Sequence, residues 1–199
     1  MMHYHALSVI RAALNYYLSP EGLASWLELF SVTAHDTDSL TTIHAELSAK
    51  PPQLRAYALA GNAEPPLVVA QLGDYRVTDR PLGHTAGGAE ATISSQAIRL
   101  EIIAKGADEA EALAFTVYAA LRQARADFLA NGYLSMSVDN ITELEPHEAL
   151  AAEELGMYIR RINAAAQIQD HIARLGEWDS TLGTLTAQLR RHGGAIDPL

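Results

Sequence analysis

"RLEIIAKGADEAEALAFTVYAAL", residues 99–121, holds two periods in twenty-three positions, and their junction decides the fold. Ile98, Leu100, Ile102 and Ala104 alternate with Arg99, Glu101 and Ile103, which predicts a strand with one wetter face. Gly106 ends it, and Asp108 and Glu109 put acids in a first helical turn, where the helix dipole favours them. Ala110, Leu113, Ala114, Val117, Tyr118, Leu121 and Phe128 then form one apolar stripe at helical spacing. Asn131-Gly132 predicts the end of that helix.

Upstream, Leu7, Ile10, Ala13, Leu14 and Tyr17 share a face of a helix over 5–18, which Ser19-Pro20-Glu21-Gly22 breaks. GLASWLELF (22–30) fits a short helix or a buried strand. Thr37-Asp38-Ser39 predicts a cap for a helix over LTTIHAEL (40–47), with Pro51-Pro52 as its stop. QLRAYALAG (53–61) reads as a strand. PPLVVAQLGDYRVTDRPLG (65–83) reads as one or two strands with a turn at Gly73-Asp74, and GHTAGGAEAT (83–92) as a mobile loop. Downstream, YLSMSVDNITEL (133–144) sets Leu134, Met136 and Val138 on one face. The acidic HEALAAEE (147–154) interrupts, and LGMYIRRINAAAQIQ (155–169) resumes as a long strand.

These elements predict an α+β domain: a mostly antiparallel sheet with a long central helix and an N-terminal helix packed on one face. Residues 1–170 form the domain, with 20–52 as an extended linker or insertion. Residues 171–199 are expected to be an extension that docks on a neighbour or is partly disordered.

With 49% hydrophobic and 19% charged residues in 199, the chain has material for a core. Its formal charge of −10, from 24 acids against 14 bases, argues against gripping nucleic acid through a basic surface. Cysteine is absent, which removes disulfides, thiolate metal sites and a cysteine nucleophile. The opening MMHYHALSVIRAALNYYLSP lacks the basic and long apolar regions of a signal peptide. No run approaches the roughly 18 apolar residues of a membrane span, so a soluble protein assembled in a cytoplasm is expected, with no membrane partner.

The search for chemistry returns little. Among eight histidines the best cluster is His35-Asp36-Thr37-Asp38 with His44 nearby, residue types that bind zinc or iron. Its spacing matches no metal-binding pattern, and a polar loop with helix-capping acids is the stronger reading. Glu143, Glu145, Glu153 and Glu154 are acid pairs in a small-residue segment without pocket-forming aromatics, so a solvated loop outweighs a general acid and base. No phosphate-binding, dinucleotide or nucleophile-elbow motif is present. The reading assigns no catalytic residue, metal ligand or cofactor. Arg160 and Arg161, adjacent in a strand, should project to opposite faces. One is expected to make a structural ion pair, to Asp108 or Glu109, unless the two serve an inter-subunit pair.

The succession "AIRLEIIAKGADEAEALAFTVYAALRQA" (97–124), "YLSMSVDNITELEP" (133–146) and "YIRRINAAAQIQ" (158–169) resembles the tail terminator proteins of tailed bacteriophages and their relatives at the head-to-tail junction. The helix "HALSVIRAALNYYL" and the strands of 65–83 fall in the same order. The resemblance spans about residues 53–170 plus the first helix, and it rests on the order and texture of elements. It implies a virion protein of the neck, without catalysis: a homo-hexameric ring that caps the tail tube, ends its polymerisation and meets the head connector or stopper. The implied partners are the tail tube protein, the connector and a sheath protein, with DNA passing through unbound. On that basis Glu143, Glu145, Glu153 and Glu154 are expected at the channel or ring face. Arg160, Arg161 and Tyr158 are expected at the subunit interface, through an edge formed by strand 156–168. A head-closure or tube-adaptor protein of the same virion is the neighbouring reading. A small metal-dependent enzyme using His35, Asp36, Asp38 and His44, and a monomeric ligand-binding domain, are the alternatives from other classes.

Overall fold

The computed structural model describes residues 2–31, 36–56, 64–84, 90–146 and 157–172. In chain order these form α1 (Met2–Tyr17), a 3-10 turn (Pro20–Gly22), α2 (Leu23–Leu29), α3 (Thr37–Ala49), β1 (Gln53–Ala56), β2 (Leu67–His84) and β3 (Glu90–Ala104). There follow α4 (Ala107–Gln123), α5 (Arg125–Ala130), β4 (Tyr133–Ile141), β5 (Glu145–Pro146) and β6 (Tyr158–Ile172). The class is α+β, with a mixed and mostly antiparallel sheet. No helix among the described residues is long and apolar enough to cross a membrane.

The chain divides into two compact units. The first comprises Met1–Arg76 and Ser95–Ile168, the second Val77–Ser94 and Gln169–Leu199. The described part of the second consists of segments of β2, β3 and β6, with Ser94 fully buried.

In the first unit the strand order is β1-β2-β3-β6-β4, with β5 also on β6. β1 runs parallel to β2, while β4 and β5 run antiparallel to β6. The alternation seen in the sequence sorts the two faces. Val68, Ala70, Ile98, Leu100, Ile102, Ile162, Ala164 and Ala166 are buried with Ala6, Ile10 and Leu14 of α1 and Leu113, Val117 and Leu121 of α4. Burying each large aliphatic there contributes about 1.5–3 kcal/mol, far above any propensity difference, so this face fixes the strand register.

A second cluster lies among the helices: Tyr17, Trp26, Phe30, Leu40 and Ala112. Within residues 20–52, expected as an extended linker or insertion, Pro20–Gly22, Leu23–Leu29 and Thr37–Ala49 are helical, and Trp26, Leu40 and Leu47 among them are buried in the core. Trp26 and Leu47 are fully buried, so GLASWLELF resolves as helix. Asp36, one residue before the predicted cap, caps α3 by accepting from the Ser39 N–H at 3.2 Å. Trp26 Nε1 donates to Thr116 Oγ1 at 2.8 Å, and Thr116 Oγ1 donates to the Ala112 carbonyl at 2.8 Å, so the buried indole and hydroxyl satisfy each other.

Three expectations are corrected. The predicted turn at Gly73-Asp74 is absent, since β2 runs straight through it. A Cβ at Gly73 would lie 3.0 Å from Ala97 Cβ on β3, so this glycine permits close strand approach. The segment 83–92 is not wholly loop, since β2 reaches His84 and β3 begins at Glu90, leaving 85–89 outside the described residues. The helix expected to run unbroken to Asn131-Gly132 breaks at Ala124. After the break Phe128 lies edge-on to His5, ring centroids 4.5 Å apart, and Tyr133 stacks on His5 at 5.9 Å. Gly132, with φ +89, then takes the left-handed conformation that turns the chain into β4.

Candidate functional site

Adjacent residues of a strand face opposite ways, and Arg160 and Arg161 do so. Arg160 shares its parity with the core residues Ile162 and Ala164 and reaches α4. Its Nη2 donates to Glu111 Oε1 at 3.3 Å, while its buried Nε has no hydrogen-bond partner. The bridge is thus structural, but to Glu111, one turn further along α4 than the region of Asp108 and Glu109. Glu109 has local work instead: its Oε2 accepts from the Lys105 N–H at 3.2 Å and from the Gly106 N–H at 3.5 Å, at the start of α4.

Arg161 faces the other side and centres a polar row that crosses four strands. Its Nε donates to Glu101 Oε1 at 3.2 Å and its Nη1 to Glu145 Oε2 at 2.7 Å. Gln71 Nε2 donates to the second oxygen of Glu101 at 3.0 Å. The Arg161 backbone N–H donates to Thr142 Oγ1, and Thr142 returns its N–H to the Arg161 carbonyl, carrying the edge from β4 into β5. These carboxylates, Glu145 foremost as acceptor of the Arg161 hydrogen bond, raise the guanidinium above its ordinary range against the opposing effect of burial. Beside the row sits a small apolar island, Leu67, Ile103 and Ile159 with Met157. Further along the same face Asn163 donates to Asn140, and Ser135 to Gln167.

Tyr158 is half-buried and pairs with Pro146 of β5. Glu143 is exposed. Glu145, the supposed channel acid beside it, is engaged by Arg161. Glu153 and Glu154 lie outside the described residues, as does His35. The expectation that strand 156–168 offers a sheet edge is overturned: β6 lies between β3 and β4, with both sides paired. Both of its arginines are engaged by carboxylates of the same chain. Among the described residues the open edges of the sheet are β1 and β4.

The remaining metal candidates do not converge. His44 is buried, its Nε2 2.9 Å from the Tyr17 carbonyl and its Nδ1 3.4 Å from Ser48 Oγ, with Trp26 alongside at 5.2 Å between rings. It closes the C-terminal end of α1. Asp36 is spent on the α3 cap, and Asp38 is exposed in the first turn. Among the described residues no group of three or more His, Asp or Glu side chains is placed to hold a metal.

Elsewhere, Glu64 is held below the usual carboxylate range by a hydrogen bond from Lys50 and by the charges of Lys50 and Lys105. Burial pushes the Tyr133 hydroxyl up. Sequence reasoning passed over Gln71 and Glu101, whose role depends on cross-strand register that one sequence does not reveal. It also passed over Arg122 and Arg125, although their spacing of three on one helical surface was visible. Compared with known proteins, the chain matches no family and no curated protein.

Proposed function

We propose that this chain is a structural protein of a phage virion, a ring-forming subunit of the head-to-tail junction that caps the tail tube and leaves a channel for DNA. The observation that carries the reading is the order of elements on one core. A strand closes at Lys105-Gly106 directly into a helix laid across the sheet, and two long strands, β4 and β6, follow as an antiparallel pair. That order is the one implied by the resemblance of 97–124, 133–146 and 158–169 to tail terminators.

Two further observations support a role carried by shape. The polar clusters described above are committed to caps, strand-to-strand ties and helix-to-sheet ties. The charge of −10 per chain gives a ring of six about 60 negative charges, which repels DNA phosphates and favours passage over adhesion. Exposed Glu143 is the described acid best suited to that surface.

Native mass of the purified full chain, alone and then with tail tube protein, tests the reading. A ring of six, formed alone or on the tube, is expected. A chain indifferent to both tube and connector refutes the junction role, and binding to the connector alone moves the assignment to head closure.

A further inference from the structure

The β1 edge of the sheet is short, because β1 pairs only with Leu67–Ala70 of β2. Past Ala70 the edge passes to β2 itself, which has β3 on its inner side and no strand on its outer side among the described residues. Residues 72–77 are all exposed, so a neighbour reaches this edge without displacing core. A strand edge left open in this way is a template for another strand. The segment also carries apolar side chains that the core does not use: Leu72 is 38% exposed, Tyr75 50% and Val77 48%.

The charges on this edge match themselves. Asp74 and Arg76 lie two apart on one strand and so share a face, as their contact shows: Arg76 Nη2 donates to Asp74 Oδ2 at 3.3 Å. Both side chains are about four-fifths exposed, so this ion pair exchanges partners at little cost. Tyr75, between them, takes the opposite face. Edges guarded against association carry charges of one sign, which repel a second copy. Here the order is acid, aromatic, base, with no net charge. Laid antiparallel on itself about Tyr75, the segment sets Asp74 directly opposite the partner's Arg76, and Arg76 opposite the partner's Asp74, all on one face. On the other face Tyr75 meets its own counterpart. Sliding the pairing by two residues either way sets Asp74 against Asp74 or Arg76 against Arg76, so charge selects a single register.

We propose that the outer edge of β2 around Tyr75 pairs antiparallel with the same edge of a second copy of this chain, about a two-fold axis at Tyr75, with two Asp74–Arg76 ion pairs formed between the copies. The β4 edge offers no such match, and its pairing with β6 is irregular at Tyr133/Ser135 and at Val138/Asn140, which deters a regular strand. The β2 contact is isologous, whereas ring closure is heterologous, so the dimer goes beyond the ring reading and does not depend on it.

Sedimentation velocity of the full chain tests the pairing, with the variants Asp74→Arg and Arg76→Asp. The wild type is expected to be dimeric. Each variant alone sets like charges opposite each other at both positions and should dissociate about tenfold or more readily. An equimolar mixture of the two should recover the dimer, because one then presents only bases and the other only acids. That recovery separates lost pairing from lost folding. Because the chain has no cysteine, Tyr75→Cys adds a single thiol, which the pairing sets about 5 Å from its counterpart, Cα to Cα, within disulfide range. Leu72→Cys, exposed on the same edge, falls about 20 Å from its counterpart. Mild oxidation should therefore cross-link the first and spare the second. A monomeric wild type, an assembly whose mass neither charge variant changes, a mixture that stays dissociated, or equal cross-linking of the two cysteine variants overturns the proposal. An indifferent hexamer does so while leaving the ring reading intact.

Discussion

Replacing Arg161 by Met separates a tie within the subunit from a tie between subunits. The substitution keeps most of the aliphatic length and removes the donors that reach Glu101 and Glu145. Glu145 is half exposed, so water replaces its partner and the loss there is small, about 0–1 kcal/mol. The Glu101 side chain is only 16% exposed and keeps Gln71 alone, so a poorly solvated carboxylate is left with half its partners. Leaving a buried acceptor short costs about 1–3 kcal/mol, and partial exposure places this one near the lower end. The expected total is about 1–2 kcal/mol, read from urea denaturation of the isolated chain followed by circular dichroism. Glu101→Gln in the Arg161→Met background should recover part of the loss, because the uncompensated charge is then gone. If Arg161 instead served mainly as an inter-subunit pair, the isolated chain would keep its stability and only assembly would suffer. A loss below about 0.3 kcal/mol in the isolated chain refutes the structural assignment.

Other substitutions test the helical layer and its neighbours. Thr116→Val removes the acceptor of the buried Trp26 N–H and should cost about 1–3 kcal/mol, whereas Thr116→Ser, which keeps the hydroxyl, should cost less in the same melt. Gly22→Ala places a Cβ 2.0 Å from the Tyr16 carbonyl oxygen, so the 3-10 turn must move; destabilisation of about 1–3 kcal/mol is expected in chemical denaturation. Burial raises the folded-state pKa of Tyr133, so the protonated ring favours the fold below pH about 10 and that stability is lost as pH rises through the folded value. Ultraviolet titration should therefore show a component ionising above the ordinary tyrosine range, and Tyr133→Phe should remove that component.

Most of the element order could be read from the sequence because burial imposes the periods it displays. Ile98, Leu100 and Ile102 alternate because helices cover one face only, and Leu113, Val117 and Leu121 repeat because α4 lies on that face. Breaks without a sequence mark were missed. Ala124 is a good helix former, and what stops α4 there is tertiary packing around Phe128, His5 and Tyr133. Gly73 carried the opposite ambiguity: it looked like a turn and proved to be a place where two strands come close. The polar row was invisible for a different reason. Arg161, Glu101, Gln71 and Glu145 are brought together by pairing across strands, and nothing local says that β6 lies between β3 and β4. The same ignorance of strand order made the strand read over 156–168 seem to be an edge.

That placement of β6 also sets the order in which the fold can be completed. β3 and β4 are joined in the chain by α4 and α5, yet the strand that fills the space between them is encoded after both. During synthesis β3 and β4 leave the ribosome with their facing edges bare, and Ile162, Ala164 and Ala166 must arrive before the sheet and its core close. Pairing at such sequence separation is slow, and unsatisfied edges invite premature contact between nascent chains. A ribosome-bound chain ending before Tyr158 should therefore bind chaperones and resist no protease, while one with β6 fully emerged should do the reverse. The core of the first unit, which draws on α1, α4 and β6, is therefore completed late.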